Sequence, residues 1–482
     1  MTDFNFDSVK RIHFIGIGGS AIAPLAIMLK KEGYTVTGSE HNKVWEPAKS
    51  LLINAEIEYT EESYDLDNIW KADLIIIGGS AILHNPEHPE YIEAERLGKV
   101  VKPYTYIIQH FIVKENSVVI TGSYGKSTIT SEIVWILDQS GIDISFMFGA
   151  KAVQMDTGVQ VGESNISVLE GDEFVSCPGV DMSPKFLHYD PTVALITSGK
   201  WDHIDVYPTE TDYIRAYRKL VKRVEDRNGT LIVNANGDNI DKIIEGANCE
   251  IISYSRNGSR TKLNSEKADY YAKSVKYKRD STEFELYYKD DFIDNFEITI
   301  PGEHNVENSV AAIVVAINLN IPLQKIKSSI KSYLGLKRRI EKVGVTSRGH
   351  IIYDDFAHSP VKASGSLDAV RKRHKDSYIV GVYYPRISLN SNRDSLDWYD
   401  DAFASADKII IPRVPIDIKV PKENRVYGKD ILEAISRTHS NVEYMPKNEQ
   451  ILEYFNNIKK SDVIILIMSS SSQEEFVNNL MK

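Results

Sequence analysis

A chain of 482 residues has room for about three domains of ordinary size. Its 42% hydrophobic and 26% charged residues are those of a globular protein in water, and a net charge of -11 without any Lys/Arg block argues against a nucleic-acid partner. Two cysteines, Cys177 and Cys249, are too few for a disulfide framework and lack metal-site spacing; the start MTDFNFDSVKR has no apolar signal core, and no run reaches the ~18 apolar residues of a membrane span. These features predict a cytoplasmic protein with no membrane span.

Residues 11–110 alternate strands with helices. Residues 11–15 read as a strand, residues 16–20 (GIGGS) as a glycine turn, 21–31 as a helix, and 35–38 as a second strand ending at Ser39 and Glu40. A dinucleotide-binding βαβ unit begins this way, yet Ala21 stands where the third glycine of G-x-G-x-x-G belongs. The functional expectation is a diphosphate at the helix start with Glu40 on a ribose or base; the alternative is a tight strand-to-helix turn. A third strand, 74–77, runs into GGSAILHNPE at 78–87, at the strand end where such sheets bind ligands.

The stretch that organises the chain is SVVITGSYGKSTITS, residues 117–131. An apolar β-branched run is followed by Gly122, Gly125, Lys126 and Ser127, and residues 131–137 carry apolar side chains at helical spacing, so the stretch reads strand, glycine loop, helix. Such a loop cradles phosphate: backbone N–H groups converge on the anion, the helix start adds positive charge, Lys126 reaches the terminal phosphates and the Ser127 hydroxyl is placed for magnesium. The spacing is G-x-x-G-K-S, shorter than the usual G-x-x-x-x-G-K-[ST]. Strand 166–169 delivers EGDE (170–173) and strand 193–197 delivers SGKWDHID (198–205). If both run parallel to 118–121, their ends share one edge with the loop and gather Ser127, Glu170 and His203 around a metal. Taken singly, Glu173 or Asp205 reads equally well as a solvated carboxylate. A β-meander at 270–276, 283–288 and 292–300 leads to GEHNVEN and a helix at 310–319, with Asn305 at its start either a cap or a ligand.

Residues 322–341 read as a linker ending in Lys337, Arg338 and Arg339, a solvated charge run that would also suit a phosphate clamp. Residues 343–482 alternate again, with strands at 351–353, 378–382, 408–411, 442–445 and 463–468 and helices at 361–373 and 449–457. A polar turn, Asp354 to Pro360 and including His358, follows the first of these strands.

With these residues laid out, the chain resembles the Mur ligases, ATP-dependent enzymes that form amide bonds in peptidoglycan synthesis. TGSYGKST resembles the family's TGTHGKTT, EGDE its EADE, WDHID its DHxD, GEHNVEN its GxHNxxN, GLKRRIE its GxxRRxE and YDDFAHSP its DDYAHHP, in order along the whole chain. The resemblance implies an α/β fold of three units: a Rossmann-like UDP-sugar-binding domain at 1–110, a central P-loop ATP-binding domain at 111–322 and a Rossmann-like amine-binding domain at 323–482. It implies a Mg2+-dependent ligase with ATP, UDP-N-acetylmuramate and an amino acid or peptide as partners. ATP would be held by Gly122, Ser123, Gly125, Lys126, Ser127, Thr128, Asn305, Arg339, Asp354 and His358. The metal would be held by Ser127, Glu170 and His203, and the UDP-sugar by Gly16, Gly18, Gly19, Ser20, Glu40 and Ser80. Lys126, Glu170, His203 and Arg339 would carry catalysis.

Residues 184–196 (PKFLHYDPTVALI) and 383–390 (YYPRISLN) resemble the murein peptide ligase branch, so the expected amine is L-Ala-γ-D-Glu-meso-diaminopimelate, with Arg386 on a carboxylate. L-Alanine or another amine is the alternative. Three residues depart from the family pattern: Tyr124, Ser198 and Ser359. Arg218 stands near the place of the carbamoylated lysine of other Mur ligases, so that modification is not expected, Lys219 being an outside candidate. Two readings from other classes compete. A P-loop regulator without ligation would not need EGDE beside DHID, and a Rossmann oxidoreductase is disfavoured by the imperfect fingerprint.

Overall fold

A computed structural model describes residues 6–482 except 80, 205, 386–392 and 417–419; of His84 it describes the backbone alone. The chain builds three sheets of five, ten and six strands and one small hairpin, each sheet flanked by helices. Among the described residues, no helix is long and apolar enough to cross a membrane.

The first sheet is wholly parallel, in the order Glu58–Glu61, Thr35–Glu40, Arg11–Ile15, Leu74–Ile77, Val101–Pro103. The order reverses direction at Arg11–Ile15, so the carboxyl ends of that strand and of Leu74–Ile77 mark the edge at which such sheets bind ligands. Gly16 (φ 82°) turns the chain there, and a Cβ on Gly78 would come within 3.0 Å of the Gly16 carbonyl, so the two loops lie against each other.

In the central sheet, Asn116–Thr121 lies between Val193–Ile196 and Ile166–Gly171 and is parallel to both. The register pairs Thr121 with Gly171 on one side and with Ile196 on the other. The strand Ser145–Met147 extends this side, while Thr230–Asn234 and Glu250–Ser255 extend the other and carry the antiparallel meander Tyr270–Tyr277, Thr282–Tyr288, Asp291–Ile298. The helix Lys126–Gln139 buries Ile129, Ile133, Ile136 and Leu137 at helical spacing, and Glu303–Asn318 packs on it through an almost wholly apolar face. The first of these helices begins at Lys126, five residues before the apolar pattern becomes legible in the sequence.

Residues 322–341 are not an unstructured linker. Leu323–Ser332 is a helix that starts after Pro322 and buries Ile326 and Ile330, spaced i, i+4, in the central core. Its polar outer face, with Lys325, Lys327 and Lys331, hides this amphipathic pattern behind a charge run. The third sheet therefore begins at Glu341–Val345, an antiparallel edge strand, and continues through Ile351–Asp355, Val463–Ser469, Tyr378–Tyr384, Lys408–Ile411 and Val442–Tyr444, all parallel. Arg279 of the meander forks onto Asp462 at 3.2 and 2.8 Å, and Glu303 takes both Arg256 at 2.7 Å and Lys372 at 2.6 Å, so the third unit docks on the central one largely through charges.

One polar group lies deep between the two central helices. Glu132 is wholly buried; Oε1 accepts from Ser309 Oγ at 2.6 Å and Oε2 has no partner. Burial pushes this carboxyl up to about 8 from 4.5, the serine hydrogen bond only partly opposing it. The folded chain thus keeps a proton that the unfolded chain loses, and its stability falls as pH rises from the unfolded to the folded pKa. Glu132→Gln should remove that loss: the melting temperatures of variant and parent should converge near pH 5 and part by several degrees near pH 9, the variant being the more stable, on the order of a few kcal/mol. A difference independent of pH would overturn the assignment.

Candidate active site

The strand Asn116–Thr121 hands over to the helix Lys126–Gln139 through a loop of two left-handed glycines, Gly122 (φ 118°) and Gly125 (φ 78°). Both positions also exclude a side chain sterically. A Cβ on Gly122 would lie 2.2 Å from Thr197 Oγ1, and one on Gly125 would lie 2.5 Å from Asn308 Oδ1. The loop is stitched to the neighbouring strand end: Ser123 donates from N to Ser198 O at 3.1 Å and from Oγ to Lys200 O at 2.7 Å, and Thr197 Oγ1 donates to Tyr124 O at 2.7 Å. Ser127 and Thr128 open the helix, half-buried, and the Tyr124 ring stands exposed at the loop tip with the Lys200 ammonium 5.8 Å from its centroid.

Parallel register then decides what faces the loop. Lys126 Nζ donates to Glu173 at 2.9 and 3.1 Å and to Gly122 O at 2.9 Å. Glu173 is buried, and His203 Nε2 stands 3.8 Å from its Oε1. Asp172, Glu173 and His203 present ligand atoms within 4.8 Å of one another. Burial raises the Glu173 carboxyl above its ordinary range, opposed by Lys126. Asp172 is pushed up by burial as well, but Lys185, 2.7 Å from Oδ2, more than offsets this and holds it below that range. His203 is fixed by a left-handed backbone (φ 53°), by its N–H on Asp202 Oδ1 at 2.7 Å and by an edge-on contact with Phe174 at 5.4 Å. Glu173 and His203 at a phosphate loop, with Glu170 on the Ser127 hydroxyl, are donors that fit a small divalent cation such as magnesium.

The sequence grouped Ser127, Glu170 and His203. In the structure Ser127 Oγ does donate to Glu170 Oε1 at 2.9 Å, while Glu170 Oε2 takes the Gly149 N–H at 2.9 Å. His203 joins Glu173, not Glu170. The strand Ile166–Gly171 ends one residue past Glu170, so that side chain still lies along the sheet, whereas Glu173 sits beyond the strand end and turns to the loop. Asp205 lies outside the described residues. In the sequence Glu173 reads equally well as a solvated carboxylate, and Asp172 and Asn308 are not singled out; the alternation of strand residues, carried to the strand end, is the signal that separates Glu170 from Glu173.

A second constellation lies at the start of the third unit. Residues 338 and 340 both have positive φ, 58° and 52°, which for the β-branched Ile340 is a strained conformation worth about 1–3 kcal/mol. The strain is held by Ile340 N on Asp355 Oδ1 at 2.9 Å, Arg338 N on Glu341 Oε2 at 2.8 Å and Phe356 N on Arg338 O at 2.8 Å. The kinked chain sends Arg338 inward to the carbonyls of Ser469 and Ser471, at 2.5 and 2.7 Å, and leaves Arg339 exposed with its guanidinium 5.3 Å from the Phe356 ring centroid. The two neighbouring aspartates differ. Asp355 is saturated by Ile340 N, Ala357 N and Ser366 Oγ, whereas Asp354 has one oxygen 3.5 Å from Arg338 Nε and the other unpartnered. Burial pushes Asp354 up to about 6, Arg338 opposing in part. His358 is buried, its Nδ1 2.7 Å from Phe356 O; Asn305, also buried, donates to Pro301 O at 2.6 Å and accepts from Asn308 Nδ2 at 3.0 Å.

In the first unit, Gly16 N and Ile17 N donate to Ser39 O, and Gly18 N donates to Glu40 Oε2 at 3.0 Å. Glu40 is thereby drawn onto the glycine turn, with Gly19 beside Ile22 and Ser20 exposed at the start of the helix Ile22–Lys31. Ser80 and Arg386 lie outside the described residues. Arg218, near the place of the carbamoylated lysine, pairs with Glu245 at 2.5 Å on the surface.

Two family models match this chain over the same stretches: "Mur ligase family, catalytic domain" over residues 11–114 and "Mur ligase middle domain" over residues 120–316. The chain belongs to the Mur ligase family. It is an ATP-dependent ligase of the amide-forming kind. Among curated relatives, UDP-N-acetylmuramate–L-alanine ligase of Caldanaerobacter subterraneus subsp. tengcongensis is 29% identical over 480 residues, covering 98% of this chain and 97% of the relative. The enzyme of the same name from Caldicellulosiruptor saccharolyticus is 28% identical, covering 95% and 96%. Among solved structures, UDP-N-acetylmuramate-alanine ligase from Thermotoga maritima superposes with a TM-score of 0.74 at 18% identity, covering 97% of each chain. A murein peptide ligase from Psychrobacter arcticus gives 0.63 at 21%, covering 98% of this chain and 99% of that one. The three-unit α/β fold of this Mur ligase is thus that of its relatives.

Lys126→Ala in this Mur ligase should abolish ATP-dependent turnover yet leave UDP-sugar binding within about two-fold, since the glycine turn at residues 16–20 lies in another unit. Retained turnover would remove Lys126 from the phosphate site. Glu173→Gln should raise the magnesium needed for half-maximal rate by about 10-fold or more, whereas overlapping magnesium titrations would make Glu173 a purely structural partner of Lys126.

Proposed function

We propose that this Mur ligase joins the lactyl carboxylate of UDP-N-acetylmuramate to the amine of L-alanine. The observation that carries the reading is that relatives of this name match it from end to end, at 29% identity over 98% of the chain for one of them. The sequence by itself favoured a tripeptide amine; the relatives back L-alanine better.

A carboxylate does not condense with an amine in water at neutral pH, so it must first be activated. In this reading the carboxylate oxygen attacks the γ-phosphorus of ATP, the bond to ADP breaks, and the amine then displaces phosphate from the acyl phosphate through a tetrahedral intermediate. Gly122, Ser123, Gly125, Ser127 and Thr128 would receive the ATP phosphates, with Lys126 released from Glu173 to offset charge on the transferring oxygens. Magnesium, when bound by Glu173 and His203, with Glu170 beside the Ser127 hydroxyl, would supply charge stabilisation to those oxygens. Arg339, exposed and stacked on Phe356, would swing onto phosphate. Asp354, whose second oxygen lacks a partner, would take a hydroxyl of the nucleotide, with Asn305 and His358 beside it. The glycine turn with Gly16, Gly18, Gly19 and Ser20, and Glu40 drawn onto it, would take the UDP group. ATP and a UDP-sugar are substrates of the cell interior, so the reading implies a cytoplasmic enzyme.

The second reading keeps the chemistry and changes the amine to L-Ala-γ-D-Glu-meso-diaminopimelate. It rests on the resemblance of residues 184–196 and 383–390 to murein peptide ligases, with Arg386 as the carboxylate contact. ADP release with UDP-N-acetylmuramate, ATP and Mg2+ separates the two. Release with L-alanine and none with the tripeptide is expected; the reverse establishes the second reading, and release with neither amine sinks both.

A further inference from the structure

Three segments that leave the ligand edge of the first sheet meet on one buried carboxylate. Glu90 is the second residue of the helix Pro89–Arg96, and its side chain is wholly covered. Its Oε2 accepts from the hydroxyl of Ser39, near the end of the strand Thr35–Glu40, and its Oε1 accepts at 2.8 Å from the N–H of Asp65, on the run that follows the strand Glu58–Glu61. Glu90 itself lies on the chain that leaves the strand Leu74–Ile77. His13, equally covered, stands beside it: Nδ1 lies 2.8 Å from Thr37 Oγ1, and Nε2, without a hydrogen-bond partner, lies 3.7 Å from Glu90 Oε2. Burial pushes the Glu90 carboxyl up, but His13, the Asp65 N–H and the Ser39 hydroxyl more than offset this and hold it below the ordinary carboxylate range.

The same three segments carry the residues at the rim of that edge. Ser39 O accepts from Gly16 N at 2.9 Å and from Ile17 N at 3.0 Å, and Glu40 takes the Gly18 N–H, so one strand end holds the glycine turn. Tyr64, next to Asp65, has its hydroxyl 2.8 Å from His41 Nδ1 and accepts from Asn85 Nδ2 at 3.2 Å; its ring meets that of His88 edge-on at 4.9 Å.

We propose that Glu90 is a positioning residue of the nucleotide-sugar subsite: through Ser39 and Asp65 it fixes the strand end that holds the glycine turn against the segments on either side of it. The proposal rests on the reading above that the glycine turn takes the UDP group. A carboxylate only accepts, so it can satisfy a hydroxyl and a backbone N–H at once with charge-assisted bonds. An amide of the same shape turns an NH2 onto one of those donors, and one segment loses its tie. Segments already held in place need not be ordered when the ligand binds, which strengthens binding.

Calorimetric titration of the full-length, nucleotide-free protein with UDP-N-acetylmuramate, together with steady-state rates, tests this. Glu90→Gln should raise the Kd and the KM for UDP-N-acetylmuramate about 5-fold or more, while kcat and the KM for ATP stay within about two-fold, the pattern of binding lost to one substrate. Ser39→Ala, which removes a single hydroxyl, should raise the same Kd about 3-fold. In a Glu90→Ala background, where that hydroxyl has no carboxylate to meet, adding Ser39→Ala should change the Kd by less than about two-fold. A Glu90→Gln protein with a shifted melting temperature and an unchanged Kd makes Glu90 a purely structural residue and overturns the proposal. A full 3-fold effect of Ser39→Ala in the Glu90→Ala background also overturns it, because Ser39 then acts without Glu90. If the Glu90 variants fold poorly, Ser39→Ala alone decides: unchanged affinity overturns the proposal. Should the parent not bind UDP-N-acetylmuramate, the reading of the glycine turn fails first and takes the proposal with it.

Discussion

Parallel pairing of Asn116–Thr121 with a strand on each side is the constraint on which the site depends. Because Thr121 pairs with both Gly171 and Ile196, three chain segments leave the sheet at one edge: the glycine loop, the run into Glu173 and the run into His203. Parallel strands need long crossovers, and here these are helices or extended excursions that return each segment to the same end. The ion pair of Lys126 with buried Glu173 is a consequence of this geometry. It is also what holds the lysine, a long side chain with much rotamer freedom, in a single place.

The third unit contributes through strain rather than register. Two left-handed residues on either side of Arg339 turn its neighbours inward and leave it outside, and the saturated Asp355 carries the backbone bond that keeps Ile340 in its unfavourable conformation. Strain of this kind persists only where surrounding bonds over-determine it, and here it separates Arg338, turned inward onto backbone carbonyls, from Arg339, which stays exposed. The polar contact between Glu303 and the pair Arg256 and Lys372 ties that unit to the central one. A charged interface of this sort gives less net stability than an apolar one of equal area and comes apart more easily in water, which suits units that must converge around several substrates.

How much of the site was legible varied with the physics. Lys126 and Ser127 were readable because a glycine loop between an apolar run and a helix leaves its mark in adjacent residues. The choice between Glu170 and Glu173 was not, because it turns on where a strand ends: Glu170 lies within Ile166–Gly171 and Glu173 beyond it, on the run that meets Lys126. The helix Leu323–Ser332 was missed for a related reason: three lysines on its outer face outweighed two isoleucines on its inner one until a core was present to receive them. Lys185 carried no signal at all, its partner lying thirteen positions away across a hairpin.

The sequence by itself determined the alternating α/β character, the phosphate loop and the family, because each is written in residues close together along the chain. It left open which carboxylate pairs with Lys126 and which of Arg338 and Arg339 turns inward. Those were decided only by tertiary structure, since they depend on the register of strands some fifty to eighty residues apart and on backbone dihedrals that only packing can impose.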